Sequence, residues 1–180
     1  MKLSIFLSLL LYSLYGYSQE KAIIPTLEDD EGFAIIAIYS KGKAGQVILE
    51  GSGFGNAHSF GPLNYSQHFS VIKLKAGTYN WSRVSNKVDN SLKQYSKLEH
   101  LNLNFEVKAG KLNYTGLLMY ETNNSSFSAK ILNRTSILLA ITKQDFPEYI
   151  DNFEVVNGIY PNDQYIDFFL NKSKPVVGED

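Results

Sequence analysis

The sequence predicts a mainly β protein, a single antiparallel β-sandwich with a short helical C-terminal segment. Three observations support this class. Apolar and polar residues alternate along residues 69–75 and 101–108, a period typical of strands with one buried face. In the first run the period places Phe69 and Val71 on one face and Ile72 and Leu74 on the other, and after Gly77 it places Tyr79 and Trp81 on a common face. Glycine follows each run in the Lys-Ala-Gly triplets 75–77 and 108–110, which predicts two paired hairpins. Gly77 can supply the positive φ that a tight hairpin needs, and Gly110 is expected to turn the chain after the second run. The apolar period becomes helical only after Thr142.

Residues 1–18 predict a signal peptide of bacterial style. Lys2 precedes a mostly apolar stretch, and Gly16 and Ser18 are small residues before a cleavage point at Gln19. The stretch is shorter than the ~20 apolar residues of a membrane-spanning helix, although an uncleaved N-terminal anchor is the alternative. We therefore expect an exported protein, periplasmic or extracellular, with no transmembrane span after cleavage.

The chain of 180 residues contains no cysteine. After cleavage it is long enough for one domain with a sizeable core, so no disulfide is expected or needed. The absence of cysteine also excludes thiol catalysis, zinc–thiolate sites and iron–sulfur clusters.

The formal net charge of −1 conceals an asymmetry, because the centre is basic and both ends are acidic. One interpretation is a basic face that binds an anionic envelope component. The other is that the acidic ends lie against the basic centre, or that these are solvated faces.

The predicted organisation has five parts. They are a signal peptide at 1–18, a flexible leader at 19–32, a β-sandwich at 33–142, a helical C-terminal cap at 143–171 and a disordered tail at 172–180. The apolar run 33–39 predicts a central strand buried on both faces. Further strands are expected at 46–50, 127–132 and 136–141, and the polar residues 85–100 predict a long loop or a short inserted helix.

Two helices are expected in the cap. Phe146, Tyr149, Ile150 and Phe153 follow helical spacing, with Pro147 in the first turn and the helix ending at 157–158. A second short helix is predicted at 163–170.

No catalytic residue is identified. The glycine-rich stretch 51–61 is not followed by a helix, as a phosphate-binding loop requires, and Ser52 lacks the spacing of a nucleophile elbow. His58 and His68 flank a loop and can converge, but no metal-binding motif is present. The few acidic residues of the β region, including Glu106 on the water-facing side of its strand, do not predict a carboxylate pair. No metal and no cofactor are predicted.

Aromatic and basic residues around the two triplets give the candidate ligand-binding set. Tyrosine and tryptophan combine apolar area with a polar group, so on an exposed face they can stack on sugars or anchor a protein. The alternative is that they fill the core. The set is Tyr79, Trp81, Tyr114, Lys75, Lys108 and Lys111.

The runs FSVIKLKAGTYNW and FEVKAGKLNYTGLL resemble small exported bacterial domains of unknown function. Those domains are similar to prealbumin-like or carboxypeptidase-regulatory-like β-sandwiches, so the resemblance implies a prealbumin/Ig-like fold. It covers residues 69–118, implies no activity and transfers no catalytic residue.

These observations lead to an expected non-catalytic role, binding or structural, in the cell envelope. The expected partner is an envelope protein or a glycan, and no nucleic acid is expected. A carbohydrate-binding module that uses surface aromatics is the alternative, and an enzyme is the third possibility. The identity of the ligand and the oligomeric state are left open.

Overall fold

Strands make up most of the structure, a computed structural model that describes residues 23–53, 55–88, 92–122, 126–160 and 165–166. The strands are β1 Glu31–Lys41, β2 Lys43–Ala44, β3 Gln46–Gly51, β4 Ala57–Phe60, β5 Leu63–Asn64, β6 Gln67–Lys75, β7 Gly77–Val88, β8 Leu92–Lys97, β9 Asn104–Val107, β10 Leu112–Thr122, β11 Phe127–Leu132 and β12 Val155–Asn157. The helices are α1 Thr135–Asp145 and α2 Pro147–Asn152, and a 3-10 turn covers Glu99–Leu101. The prediction of a mainly β protein with a helical segment near its C-terminus is confirmed.

The strands form two five-stranded sheets and a short ribbon of β2 and β5. The first sheet has the order β6-β1-β10-β11, with β12 also paired to β10. The second has the order β4-β3-β7-β8, with β9 also paired to β7. β1 and β10 run parallel, as do β10 and β12, so the expectation of a purely antiparallel arrangement is wrong at these pairs. The parallel pairing arises because the chain leaves the first sheet after β6 and returns to it at β10.

The two Lys-Ala-Gly triplets connect the sheets and do not form hairpins. The first leads from β6 in the first sheet to β7 in the second, and the other leads from β9 back to β10. The positive φ predicted at Gly77 is confirmed, with φ +144°, and the turn glycine Gly110 also has a positive φ, +68°. The prediction of paired hairpins is wrong, since the strands on either side of each triplet pair with other strands.

The start of β1 lies between the two triplets. The Ala76 N–H donates to the Asp30 carbonyl at 2.7 Å, and the Gly110 N–H donates to the Glu31 carbonyl at 2.8 Å. Asn113 strengthens the second connection: its amide nitrogen donates to the carbonyls of Phe33, Lys108 and Lys111, and its Oδ1 accepts from the Lys108 N–H. These contacts bring two turns distant in sequence to one end of the molecule.

β1 is buried on both faces, as its unbroken apolar run predicts. Ala34, Ile36 and Ile38 belong to an apolar cluster that contains side chains of both sheets, which we call the shared cluster. Phe33 and Ile35, with the alternate residue Ala37, point to the opposite side. The predicted faces of β6 and β7 are also confirmed, because Ile72, Leu74, Tyr79 and Trp81 all pack in the shared cluster.

The opposite side of the first sheet is covered by the helices. Phe33, Ile35 and Ala37 join side chains of α1, α2 and β12 in a second apolar group, the helix-side cluster. Aromatic rings dominate one part of it: the Phe33 ring lies edge-on to those of Tyr149 and Phe153, with centroids 4.8 and 4.9 Å apart. Ile24 and Leu27 of the predicted leader also pack here.

The prediction of a strand at Ser136–Ile141 is wrong, since these residues belong to α1. The helical part therefore begins at Thr135, before the expected boundary at residue 143. The run SILLAI is too short for its period to distinguish a buried strand from a helix. Tertiary contacts favour the helix because it buries Leu138 and Leu139 against the first sheet.

Other boundaries also differ from the sequence prediction. β7 continues to Val88 and β8 occupies Leu92–Lys97, where a loop or inserted helix was expected. The predicted first helix of the cap covers only Pro147–Asn152, with Pro147 in its first turn as expected, and the chain then forms β12. Of the predicted helix at 163–170, only 165 and 166 are described, and both are helical; the expected tail at 172–180 lies outside the described residues.

Candidate functional site

The three aromatic residues predicted to bind a ligand are core residues. The exposed fraction is 2% for Tyr79, 1% for Trp81 and 0% for Tyr114. A ring that is not exposed cannot stack on an external sugar, so this part of the predicted site is wrong. The alternation had correctly predicted a common face for Tyr79 and Trp81, which pack in the shared cluster, whereas Tyr114 packs in the helix-side cluster. The period of two does not reveal whether a face contacts water or another sheet.

Two of these buried residues, Tyr79 and Tyr114, make hydrogen bonds with an evident structural role. The Tyr79 ring stacks on Phe105 at a centroid distance of 5.8 Å, and its hydroxyl donates to the Lys75 carbonyl at 3.0 Å. Burial is the main cause that raises the Tyr79 pKa. The Tyr114 hydroxyl donates to Asn133 Oδ1 and accepts from the Arg134 N–H at 2.7 Å. Tyr114 therefore holds the chain where α1 begins.

The lysines near the triplets face the acidic ends of the chain. Lys75 Nζ is 3.1 Å from Asp30 Oδ2, and Lys111 pairs with Glu154. The hydrogen bond to Asp30 is the main cause that raises the Lys75 pKa. Lys108 is exposed. Of the two interpretations of the charge asymmetry, the structure supports the one in which acidic ends lie against the basic centre.

Glu31 extends this pairing. Its carboxylate is 2.8 Å from Lys73 Nζ and also accepts from the Glu28 N–H at 2.8 Å. The hydrogen bond to Lys73, followed by that to Glu28, lowers the Glu31 pKa. The positive charge at this end of the molecule is thus largely compensated internally.

The two histidines considered for a metal lie on different sheets. His58 is on β4 and His68 on β6, and desolvation lowers the pKa of both. The His68 ring lies 5.2 Å from that of Phe60, and its Nε2 is 2.9 Å from the Ser70 hydroxyl. Across the described ranges, no group of three or more His, Cys, Asp or Glu residues has metal-binding geometry.

A cleft of about 360 Å³ lies at the end of the first sheet where β1 and β10 finish. Two aromatic side chains line it: Tyr65, in the turn between β5 and β6, is 71% exposed, and Phe127, at the start of β11, is 36% exposed. We call this the Tyr65–Phe127 cleft. Its other lining residues are Lys41, Glu121, Thr122, Ser126 and Ser128.

The backbone and neighbouring rings define how these two aromatic residues are held. Tyr65 has φ +46°, a left-handed conformation that is uncommon for a bulky residue and often marks functional sites. Its N–H donates to the Gly42 carbonyl at 2.9 Å. Phe127 stacks on the buried Tyr120, with ring centroids 6.2 Å apart. One ring is therefore held by the core, and the other projects from a turn.

A pair of opposite charges forms part of the cleft lining. Lys41 Nζ and Glu121 Oε1 are 3.9 Å apart, and both side chains are substantially exposed. This distance permits electrostatic attraction but exceeds that of a hydrogen bond, so the ammonium group and the carboxylate can still engage ligand hydroxyls. The cleft thus combines exposed rings with hydrogen-bonding groups of both kinds.

The sequence alone did not identify this cleft. Tyr65 stands alone in the polar stretch NYSQ, and Phe127 is preceded by two serines, so neither contributes to an aromatic pattern. The available signal was local: Tyr65 stands among turn-forming residues, and connecting turns run over the surface of a protein.

No protein-family model, curated protein or solved structure that was compared with the chain matches it. The prealbumin-like resemblance therefore stays a prediction. Within the part of the chain that the structure describes, no helix has both the length and the apolar character needed to cross a membrane.

Proposed function

We propose that this chain is an exported β-sandwich domain of the bacterial cell envelope that binds a glycan without catalysing a reaction. The shared cluster supports the sandwich assignment, because strands of both sheets contribute side chains to it. The signal-peptide pattern supports export. The observation that carries the binding role is the Tyr65–Phe127 cleft.

The chemistry of the cleft matches that of a sugar. A pyranose presents an apolar face of C–H groups and a rim of hydroxyls, so it needs an aromatic surface together with hydrogen-bond donors and acceptors. Tyr65 and Phe127 offer the rings, and Lys41 and Glu121 offer a donor and an acceptor. The volume of about 360 Å³ falls within the ~300–1,000 Å³ of ordinary small-molecule sites.

The charges of the cleft favour a neutral glycan. Lys41 and Glu121 compensate each other, so the site offers no net attraction to an acidic or basic ligand. The sequence also suggested a carbohydrate-binding module, but with Tyr79, Trp81 and Tyr114, which are buried. The present proposal keeps the idea that aromatic rings stack on a sugar and assigns that role to Tyr65 and Phe127.

Calorimetric titration of the purified protein with neutral oligosaccharides tests the proposal. Suitable probes are chitotriose, cellotriose and mannotriose. At least one is expected to bind, and Tyr65→Ala is expected to weaken binding by about tenfold or more, the effect of losing one well-placed aromatic contact. Phe127→Ala should act in the same direction.

Tyr160→Ala is the matched control. Tyr160 is also an exposed tyrosine, at 51%, and does not line the cleft. Binding that persists equally in Tyr65→Ala and Tyr160→Ala, or no heat of binding with any of the three probes, would refute the glycan-binding proposal.

A further inference from the structure

A second cavity, of about 220 Å³, lies between α1 and the first sheet. Most of its lining is apolar. β1 contributes Ala37 and Tyr39, the neighbouring strands contribute Phe69 and Leu117, and α1 contributes Ile137, Leu138 and Ile141. We call it the α1 pocket. It is distinct from the Tyr65–Phe127 cleft and shares no lining residue with it.

The small side chain of Ala37 explains why there is space beneath the helix. The helix-side residues of β1 are Phe33, Ile35 and then Ala37. In the sheet register, Ala37 lies opposite Phe69 of β6 and Leu117 of β10. An alanine between two large neighbours leaves a depression in the sheet surface, and α1 covers it from above.

The rim of the α1 pocket is amphipathic. Ile137 is 54% exposed although it is a large apolar residue, so a ligand in the pocket would remove apolar surface from water. Arg134, just before α1, is exposed and also lines the pocket. Within the described ranges no carboxylate pairs with the Arg134 guanidinium.

His68 contributes little to the polar side of this pocket. Although it lies along the lining, its ring packs by Phe60 of the shared cluster and its Nε2 bonds to Ser70. Arg134 is therefore the charged group that faces a bound molecule, and the ligand chemistry follows from one cation beside an apolar cavity.

We propose that the α1 pocket binds a monocarboxylate with a short alkyl chain, with the chain above Ala37 and the carboxylate at Arg134. Guanidinium pairs with carboxylate through two parallel hydrogen bonds, which distinguishes it from other charged donors. A methylene is about the size of a water molecule, which occupies about 30 Å³. The cavity of about 220 Å³ therefore accommodates roughly seven methylenes. Octanoate is the matching probe.

Calorimetric titration of the purified protein with sodium octanoate, below its micelle threshold, tests this site. Octan-1-ol has the same chain length without the charge, so it should bind at least about tenfold more weakly, since even one of the two charge-assisted hydrogen bonds provides that factor. Arg134→Gln should remove the advantage of octanoate over octanol. Lys143→Gln, which removes an exposed positive charge at the other end of α1, should preserve it.

Two further variants locate the alkyl chain. Ala37→Leu fills the floor of the pocket and should abolish binding of both probes. If Ala37→Leu does not fold, Ile137→Glu changes an exposed position and should weaken octanoate binding about tenfold or more by placing a carboxylate at the rim. Equal octanoate affinity in Arg134→Gln and Lys143→Gln, unchanged affinity in Ile137→Glu, or no octanoate binding would overturn the assignment. None of these results depends on the glycan-binding proposal.

Discussion

Replacement of Asn113 by alanine is expected to destabilise the fold strongly although no ligand is involved. The side chain is fully buried in β10. Its Nδ2 donates to the carbonyls of Phe33 at 3.0 Å, Lys108 at 3.1 Å and Lys111 at 3.2 Å, and its Oδ1 accepts from the Lys108 N–H at 2.8 Å. Asn113 therefore joins β1 to the connection through which the chain returns to the first sheet.

The magnitude follows from these contacts. Two N–H groups shared among three carbonyls, together with one accepted bond, amount to about three full hydrogen bonds, each worth about 1 kcal/mol net. We expect Asn113→Ala to lower the free energy of unfolding by about 3 kcal/mol. At this chain length that corresponds to a fall in Tm of roughly 6–12 °C.

Asn113→Asp provides a sharper test because it preserves the shape of the side chain. The introduced carboxylate directs an acceptor at three carbonyl oxygens, so it should destabilise the protein more than alanine does at neutral pH. We expect the folded state to raise the pKa of this introduced carboxyl above its unfolded value of about 3.9, because the ionised group would be buried among carbonyl oxygens. The loss of stability caused by ionisation of this carboxyl is therefore absent well below pH 4 and grows as the pH rises above the unfolded pKa.

Urea unfolding followed by circular dichroism at several pH values measures both effects. Asn104→Ala is the control, since Asn104 is exposed on β9 and should change stability by no more than about 0.5 kcal/mol. If Asn113→Ala and Asn104→Ala prove equally stable, or if Asn113→Asp shows no pH-dependent penalty relative to the wild type, the role assigned to Asn113 is wrong.

Three other predictions concern the core, the backbone and the charges. The emission of Trp81, the single tryptophan, should be blue-shifted and poorly quenched by acrylamide because the ring is 1% exposed; strong quenching would contradict its position. Gly116 has φ +76°, and a Cβ there would overlap the side chains of Ile131 and Ile159. At Gly110 φ is also positive but the space is open, so Gly110→Ala should lower the free energy of unfolding by only ~1 kcal/mol. Gly116→Ala should lower it by at least twice as much. Equal urea midpoints for the two variants would contradict this prediction. Because the Glu31 pKa is lowered, its stabilising effect is present above the unfolded pKa of about 4.3 and is lost as the pH falls through the folded value. Glu31→Gln should thus reduce the loss of stability in acid, whereas the exposed control Glu106→Gln should not; identical acid titrations of the two variants would exclude this role.

Several features of the fold were predictable because local sequence determines them. The β-branched run from Phe33 to Tyr39 reads as a doubly buried strand, and β1 is one. The alternation in β6 assigned Ile72 and Leu74 to one face and Phe69 to the other, and the two faces do pack in different clusters. Gly77 was recognised as a position with positive φ and Gly110 as a turn glycine, and both have a positive φ.

The partners of these strands were not predictable in the same way. A turn glycine specifies a change of direction, but a hairpin and a connection between sheets can require the same residue. The run SILLAI buries its leucines as either a strand or a helix, and contact with the first sheet favoured α1. For the candidate site, Tyr79 and Trp81 belong to an alternating pattern and are buried, whereas Tyr65 belongs to no pattern and is exposed.

The sequence alone therefore determined the strand-rich class, the positions of several strands, the alternation of their faces and the glycine turns, all of which depend on residues near one another in the chain. Only the tertiary structure decided which strands pair, which aromatic face is covered and which charges meet. Those outcomes depend on contacts between distant segments, such as Lys73 with Glu31 and Asn113 with Phe33. The same long-range packing leaves Tyr65 and Phe127 exposed in one cleft and places Ala37 beneath α1, and these are the positions from which both binding proposals begin.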